Sequence, residues 1–249
     1  MQKGKYLAAK AQKMGTLKKA IILHGWTYSH AGNDPLEKWQ PFISDLESKG
    51  IECELPRIPG IAKDVDQFWT LEKYVDWLKK ITTKENKVIL IGHSNGGRIS
   101  LTFAKMYPEK ISKLILIDSA GIYHNGLPLR FKRFIFRNIA KVGKKISNSE
   151  TLRKLIYKVA REGDYSEATP SQRKTMINLI NTDLSEVLRK IKVSTLIIWG
   201  KKDSITPLSD GIMMHKLIRG SQLEVIADAK HSPQFTHPSE VAKIIYEYL

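Results

Sequence analysis

The sequence predicts a mostly parallel, doubly wound α/β sheet of about six to eight strands with one helical insertion. Three observations predict it. Six short apolar runs recur from residue 18 onward, with helical patterns between them; this alternation is what right-handed βαβ crossovers require. The alternation breaks once, over residues 122–185, where the sequence is basic and helical and shows no clear strand. The chain has 249 residues, 42% of them hydrophobic and 27% charged, and its mean hydropathy is −0.29. That is enough to build one large core, and it excludes collagen-like, low-complexity and disordered classes.

The strand candidates are Ala20–Leu23, Ile51–Leu55, Lys87–Ile91, Lys113–Asp118, Thr195–Trp199 and Leu223–Ala227. Helix is expected over Trp39–Lys49, which stops at Gly50, a residue suited to the left-handed position after a helix. Gln67–Ile81 places Phe68, Leu71, Val75 and Leu78 at helical spacing. Asn95–Tyr107 ends at Pro108, and Leu208–Arg219 ends at Gly220. A last helix carries Pro238 in its first turn and Val241, Ile244, Ile245 and Tyr248 on one face. The domain reading is a basic tail at 1–17, a core from 18–121 and 186–249, and a helical, basic insertion at 122–185.

Net charge is +16 and unevenly spread. Residues 1–33 hold six lysines and no acid, and residues 127–185 carry +8. A pI near 9.7 raises nucleic acid as a partner, but no nucleic-acid motif is present, so no specific nucleic acid is expected. In the insertion, ten basic residues between Arg130 and Lys158 interleave with Phe131, Phe134, Ile135 and Ile139. Such an amphipathic basic surface is suited to weak contact with anionic surfaces or to an anionic substrate. No apolar run approaches the ~20 residues of a membrane span, and the apolar run Ala20–Leu23 is too short for a signal-peptide core. Cys53, alone, closes no intrachain disulfide. The expected compartment is the cytoplasm. Oligomeric state leaves no trace in the sequence.

The chemistry sits at the end of the third run. Lys87–Ile91 leads into Gly92-His93-Ser94-Asn95-Gly96-Gly97, followed at once by helix. This is G-x-S-x-G in a strand–turn–helix setting. A serine at the apex of that turn is exposed above the sheet, and Gly92 and Gly96 leave room for the tight bend. The first run ends in His24-Gly25-Trp26. In a doubly wound sheet these two strand ends are neighbours at the switch point. The backbone N–H groups of Trp26 and Asn95 then face a common position, as an oxyanion hole needs. Asp203 follows the fifth run and His231 the sixth, giving the chain order Ser, Asp, His.

These pieces resemble the α/β-hydrolase superfamily, in its compact bacterial form with a helical cap. The resemblance spans residues 18–249 through HGW at 24–26, GHSNGG at 92–97, LILIDSAG at 114–121, WGKKDSITP at 199–207 and HSPQFTHPSEV at 231–241. It implies Ser94 as nucleophile, His231 as general base, Asp203 as its orienting acid, Trp26 and Asn95 as oxyanion donors, and 122–185 as the lid. Two departures stand out. Only about 17 residues precede the HG strand, where an extra antiparallel pair is common, which points to six strands. Lys230 stands where glycine is common before the histidine.

Rival readings are specific. Asp118, after the fourth run, is the alternative acid, although Ser119-Ala120-Gly121 reads as a structural turn. His24 reads as a turn-stabilising core residue, His237 as a helix cap, and His93 as either pocket lining or packing. The five tryptophans read as core. No H-E-x-x-H, no histidine pair at i,i+4, no G-x-G-x-x-G and no Walker A pattern occurs, so neither metal nor cofactor is expected. The expected reaction is hydrolysis of a carboxylic ester, a small molecule with an apolar acyl or alcohol part, through an acyl-enzyme. Hydrolysis of a carbon–carbon bond or of a thioester on an anionic substrate uses the same triad. A catalytically inactive binding module on the same fold is the reading from another class.

Overall fold

The computed structural model describes residues 18–27, 34–62, 65–83, 87–123 and 169–249. The basic tail at 1–17 and residues 124–168, which include the basic stretch from Arg130 to Lys158, lie outside the described residues.

Apolar runs become strands where both faces are covered. The strands are β1 (Lys18–Leu23), β2 (Ile51–Glu54), β3 (Val88–His93), β4 (Ile111–Ile117), β5 (Thr195–Gly200) and β6 (Gln222–Ile226). Among the described residues they form one six-stranded sheet in the order β2-β1-β3-β4-β5-β6. Every adjacent pair is parallel. The helices are α1 (Gln40–Glu47), α2 (Leu71–Ile81), α3 (Asn95–Met106), α4 (Pro170–Ile180), α5 (Ser185–Leu188), α6 (Leu208–Leu217), α7 (Pro233–Thr236) and α8 (Pro238–Tyr248).

Successive strand residues serve opposite faces of the sheet, and two cores result. Ile21, Leu23, Leu90, Leu116 and Ile197 pack with Tyr74, Val75 and Leu78 of α2 and with Ile99 and Phe103 of α3. Their neighbours Ala20, Ile22, Ile91, Ile117 and Ile198 pack with Phe42 and Leu46 of α1 and with Val241 and Ile245 of α8. This is why the central strands read as unbroken apolar runs rather than as alternating ones. Trp39 and Trp199 are fully buried. Trp26, Trp69 and Trp77 are partly buried and pack against the first core.

Some boundaries differ from the sequence reading. α2 begins at Leu71, not Gln67, because Thr70 takes an extended cap conformation and its Oγ1 accepts the N–H of Lys73. Phe68 therefore precedes the helix and is exposed. α1 is shorter than Trp39–Lys49, since Glu37–Trp39 form a 3-10 turn and the helix ends at Glu47. Gly50 does adopt a left-handed φ of 81°. α7 was not expected. Pro233 opens it, where a missing N–H costs nothing. His237 occupies the position before α8, but its side chain makes no cap bond. It contacts Asp228 at 3.1 Å and Thr236 at 2.7 Å instead.

Of the insertion, α4 is described. Thr169 and Gln172 form a reciprocal cap at its start. Thr175 Oγ1 accepts the N–H of Trp69, and Ser171 Oγ donates to the carbonyl of Val65. α4 is thus tied to the segment leading into α2. At the foot of the insertion the buried Arg98 of α3 donates from its guanidinium to the carbonyl of Thr182.

Candidate active site

The strand order places β1 beside β3, with β2 on the outer side of β1, so the topological switch lies between β1 and β3. In open sheets of this type, ligands bind at the carboxyl ends of the strands beside that switch. Leu23 of β1 pairs with Gly92 of β3, which sets His24, Gly25 and Trp26 level with His93, Ser94 and Asn95.

Ser94 sits between β3 and α3 at φ 53° and ψ −119°. A non-glycine residue held there stores on the order of 1–3 kcal/mol of strain. Four neighbours impose it. The N–H of Ser94 donates to Ile117, while its carbonyl accepts from Gly97, Arg98 and Ala120. A Cβ on Gly96 would lie 1.9 Å from the Leu23 carbonyl oxygen, and one on Gly92 would lie 2.6 Å from Gly97 Cα. Both expected turn glycines are therefore required by close approach. Gly25 is closest to the serine, because a Cβ there would meet Ser94 Cβ at 2.9 Å.

The structure brings Ser94, His231 and Asp203 together from three different strand ends. Ser94 Oγ lies 3.1 Å from His231 Nε2, and His231 Nδ1 lies 2.8 Å from Asp203 Oδ2. A carboxylate only accepts, so Nδ1–H donates to Asp203 and Nε2 is left to accept from the serine hydroxyl. Asp203 is fixed on its other side as well. Its Oδ1 accepts the N–H groups of Ile205 and Thr206, and its Oδ2 also accepts from Thr206 Oγ1 at 2.6 Å. Burial opposes the charge of Asp203. The His231 hydrogen bond and charge, with the Thr206 and Ile205 donors, outweigh it and hold the carboxyl below its ordinary range. The chain hydroxyl–imidazole–carboxylate is therefore oriented for proton transfer away from Ser94. Thr206 escaped the sequence reading; the signal available was a threonine three residues after the acid.

The two expected oxyanion donors lie beside the serine. Asn95 is the first residue of α3 and is buried; an N–H in the first helical turn has no acceptor within its own helix. Trp26 follows Gly25 and is half-buried, its side chain against the first core. The turn before it is held by His24, whose Nδ1–H donates to the Gly25 carbonyl at 2.7 Å and whose Nε2 accepts from Ile58 N–H at 3.2 Å. Burial lowers the His24 pKa to about 4, which keeps that ring neutral in this double role.

Asp118, the rival acid, is built differently. It has φ 41° and is fully buried. Its Oδ1 accepts the N–H of Gly200 at 2.8 Å, and Oδ2 has no hydrogen-bond partner among the described residues. Burial, reinforced by the charge of Asp203 and opposed by the Gly200 bond, raises its pKa to about 8. It is therefore protonated at neutral pH, and the carboxylate on His231 is Asp203.

A stability consequence follows. The folded state keeps a proton on Asp118 that the unfolded chain has lost, between an ordinary pKa of 3.8 and about 8. Stability is thus fullest below that window and falls as pH rises through it. Asp118→Asn is expected to remove this slope. The melting temperature of the variant minus that of wild type should climb across the window and level off above about 8. A difference that stays constant with pH would contradict the assignment.

One group among the described residues has the composition of a metal site: single atoms of Asp118, Asp203 and His231 lie within 4.8 Å of one another. Two of these, His231 Nδ1 and Asp203 Oδ2, already share a proton at 2.8 Å. That is the spacing of an acid–base pair, and it leaves no place for a cation between them. Among the described residues no helix is long and apolar enough to cross a membrane.

Comparison with known proteins agrees with this architecture. A pimeloyl-[acyl-carrier protein] methyl ester esterase of Wigglesworthia glossinidia brevipalpis is 27% identical, over 92% of this chain and 92% of that one. A monoacylglycerol lipase of Mus musculus is 29% identical over 74% of this chain, which spans 60% of that protein's length. The crystal structure of a meta-cleavage product hydrolase of Pseudomonas fluorescens superposes with a TM-score of 0.66 at 22% identity, covering 94% of this chain and 91% of that one. The alpha/beta hydrolase fold family itself matches residues 21–238. With sheet order, serine turn and sequence in agreement, the chain belongs to the alpha/beta hydrolase fold family.

Proposed function

We propose that the protein is a serine hydrolase acting on a small carboxylic ester with an apolar acyl or alcohol part. The observation that carries this reading is the continuous chain from Ser94 Oγ to His231 at 3.1 Å and on to Asp203 at 2.8 Å, on a serine held in a strained turn. Ser94 Oγ attacks the ester carbonyl carbon, and His231 Nε2 takes the hydroxyl proton. Asp203 keeps the imidazole in the needed tautomer and stabilises the imidazolium. The N–H groups of Trp26 and Asn95 bind the oxyanion. The tetrahedral intermediate then expels the alcohol, which leaves with the proton from His231, and an acyl-enzyme remains. Water gives a proton to the same nitrogen, attacks the acyl carbon and releases the acid and Ser94. The esterase and lipase among the relatives support an ester over other acyl substrates. We also propose residues 122–185 as the cap, because the insertion leaves the sheet after β4 at the edge where Ser94, Asp203 and His231 gather.

The test is covalent labelling with a fluorophosphonate, which needs no choice of substrate. We expect a stoichiometric adduct on Ser94 by mass spectrometry, lost in His231→Ala, and then turnover of short and medium-chain esters ahead of the matching thioesters. Absence of an adduct on well-folded wild-type protein would overturn the catalytic reading in favour of a binding module.

A further inference from the structure

His93 is the residue before the serine, and the triad leaves it without a role. Its ring is buried and stands against His231, with ring centroids 5.1 Å apart. Trp39 and Phe235 flank it edge-on, at 5.9 and 6.2 Å. Its Nε2 lies 2.9 Å from the backbone carbonyl oxygen of His231. A carbonyl cannot donate, so Nε2 carries the hydrogen and Nδ1 is the bare nitrogen. Nδ1 has no hydrogen-bond partner among the described residues and faces Gly25, where an added Cβ would come within 3.2 Å of it. Burial, with the charge of His231 next, lowers the His93 pKa to about 3, so the ring keeps this neutral form at ordinary pH.

The held group matters because of where it lies. His231 belongs to the connection between β6 and α7, in which Ala227, Asp228 and Lys230 are exposed. Among the described residues no backbone N–H reaches the His231 carbonyl; the side chain of His93 does. The donor is anchored in β3, one residue from Ser94, and β3 pairs on both sides with β1 and β4. One rigid strand end thus carries the serine on one residue and a grip on the histidine's own peptide on the residue before.

We propose that His93 is a positioning residue, whose Nε2–H holds the His231 carbonyl and so sets the distance between the His231 ring and Ser94. The proposal rests on the triad reading above. Its bond is to the backbone of His231 and not to the hydroxyl, imidazole or carboxylate of the triad. Its effect is on geometry, and misplacement by about 1 Å is enough to slow such reactions ~100-fold.

The test separates the hydrogen bond from the filled space. Met fills the volume of the ring without a donor, and Gln places an amide N–H near the position of Nε2. Saturation kinetics of fluorophosphonate labelling give the inhibitor's binding constant and the maximal inactivation rate separately. We expect His93→Met to lower the maximal rate about 10- to 100-fold, or about 1.4–2.8 kcal/mol of barrier, with the binding constant unchanged. His93→Gln should recover to within about threefold of wild type. The downfield proton of His231 Nδ1–H should be sharp in wild type and in the Gln variant, and broadened in the Met variant. If Met lowers folded yield, Gln is compared with Asn, whose amide stops one methylene short and should behave like Met. Equal maximal rates for the donor-bearing and donor-lacking variants would overturn the positioning role while leaving the triad intact. Failure of wild type itself to label would remove the triad reading, and this proposal with it.

Discussion

Ser94→Ala is expected to abolish ester turnover, lowering kcat by roughly 10⁴-fold or more with little change in KM. In the proposed mechanism the removed oxygen is the one that forms the acyl bond. His231→Ala should cost a similar amount, because without a base at 3.1 Å the hydroxyl stays protonated and weakly nucleophilic. The double variant should be no worse than either single one, since the two groups act as a unit. Asp203→Ala should cost less than either, as the ring can still accept a proton, although it loses its orienting partner. Additive losses in the double variant would contradict a shared pathway from Ser94 to His231. Steady-state kinetics on one ester, with melting temperatures as a control for folding, check all four proteins.

Gly96→Ala is expected to be the most disruptive single methyl group in the core. The new Cβ would lie 1.9 Å from the Leu23 carbonyl oxygen and 2.4 Å from its carbon. Both are backbone atoms of the inner strand β1, so no rotamer change relieves the clash. α3 would have to lift away from β1 at the point where Ser94 and Asn95 are positioned. The cost should exceed the ~1–3 kcal/mol of ordinary overpacking, and fluorophosphonate labelling should be lost together with thermal stability. Gly50→Ala is the informative contrast. Nothing lies within 4 Å of a Cβ there, but φ is +81°. Only conformational strain of about 1–2 kcal/mol remains, and labelling should survive. Similar losses at the two positions would mean that backbone conformation, not close approach, decides the Gly96 site.

Much of this molecule is legible in short stretches of chain. The four inner strands announce themselves as apolar runs because both faces of the sheet are covered there, and all six strand candidates, the two more exposed edge strands included, became strands. The serine turn is equally local, since Gly92, Gly96 and Ser94 constrain one another within five residues. Local order misled where a cap outweighed periodicity. Phe68 matched the helical spacing of α2, yet the Thr70 side chain starts the helix after it. α7 is a single turn, too short to show a period at all.

The strands, the serine turn and the order Ser94, Asp203, His231 can be read along the chain, because each depends on contacts within a few residues or on a general rule of parallel sheets. Which carboxyl meets His231, and what Asp118 and His93 bond to, depends on how the folded strands are placed. Asp118 and Asp203 both follow strands. One is turned onto the Gly200 N–H 82 residues away, while the other, with Thr206, faces the imidazole. His93 grips a carbonyl 138 residues along the chain. Pairings at such distances follow from the order and register of strands, which set positions to within a hydrogen bond's length. No spacing along the chain encodes that length.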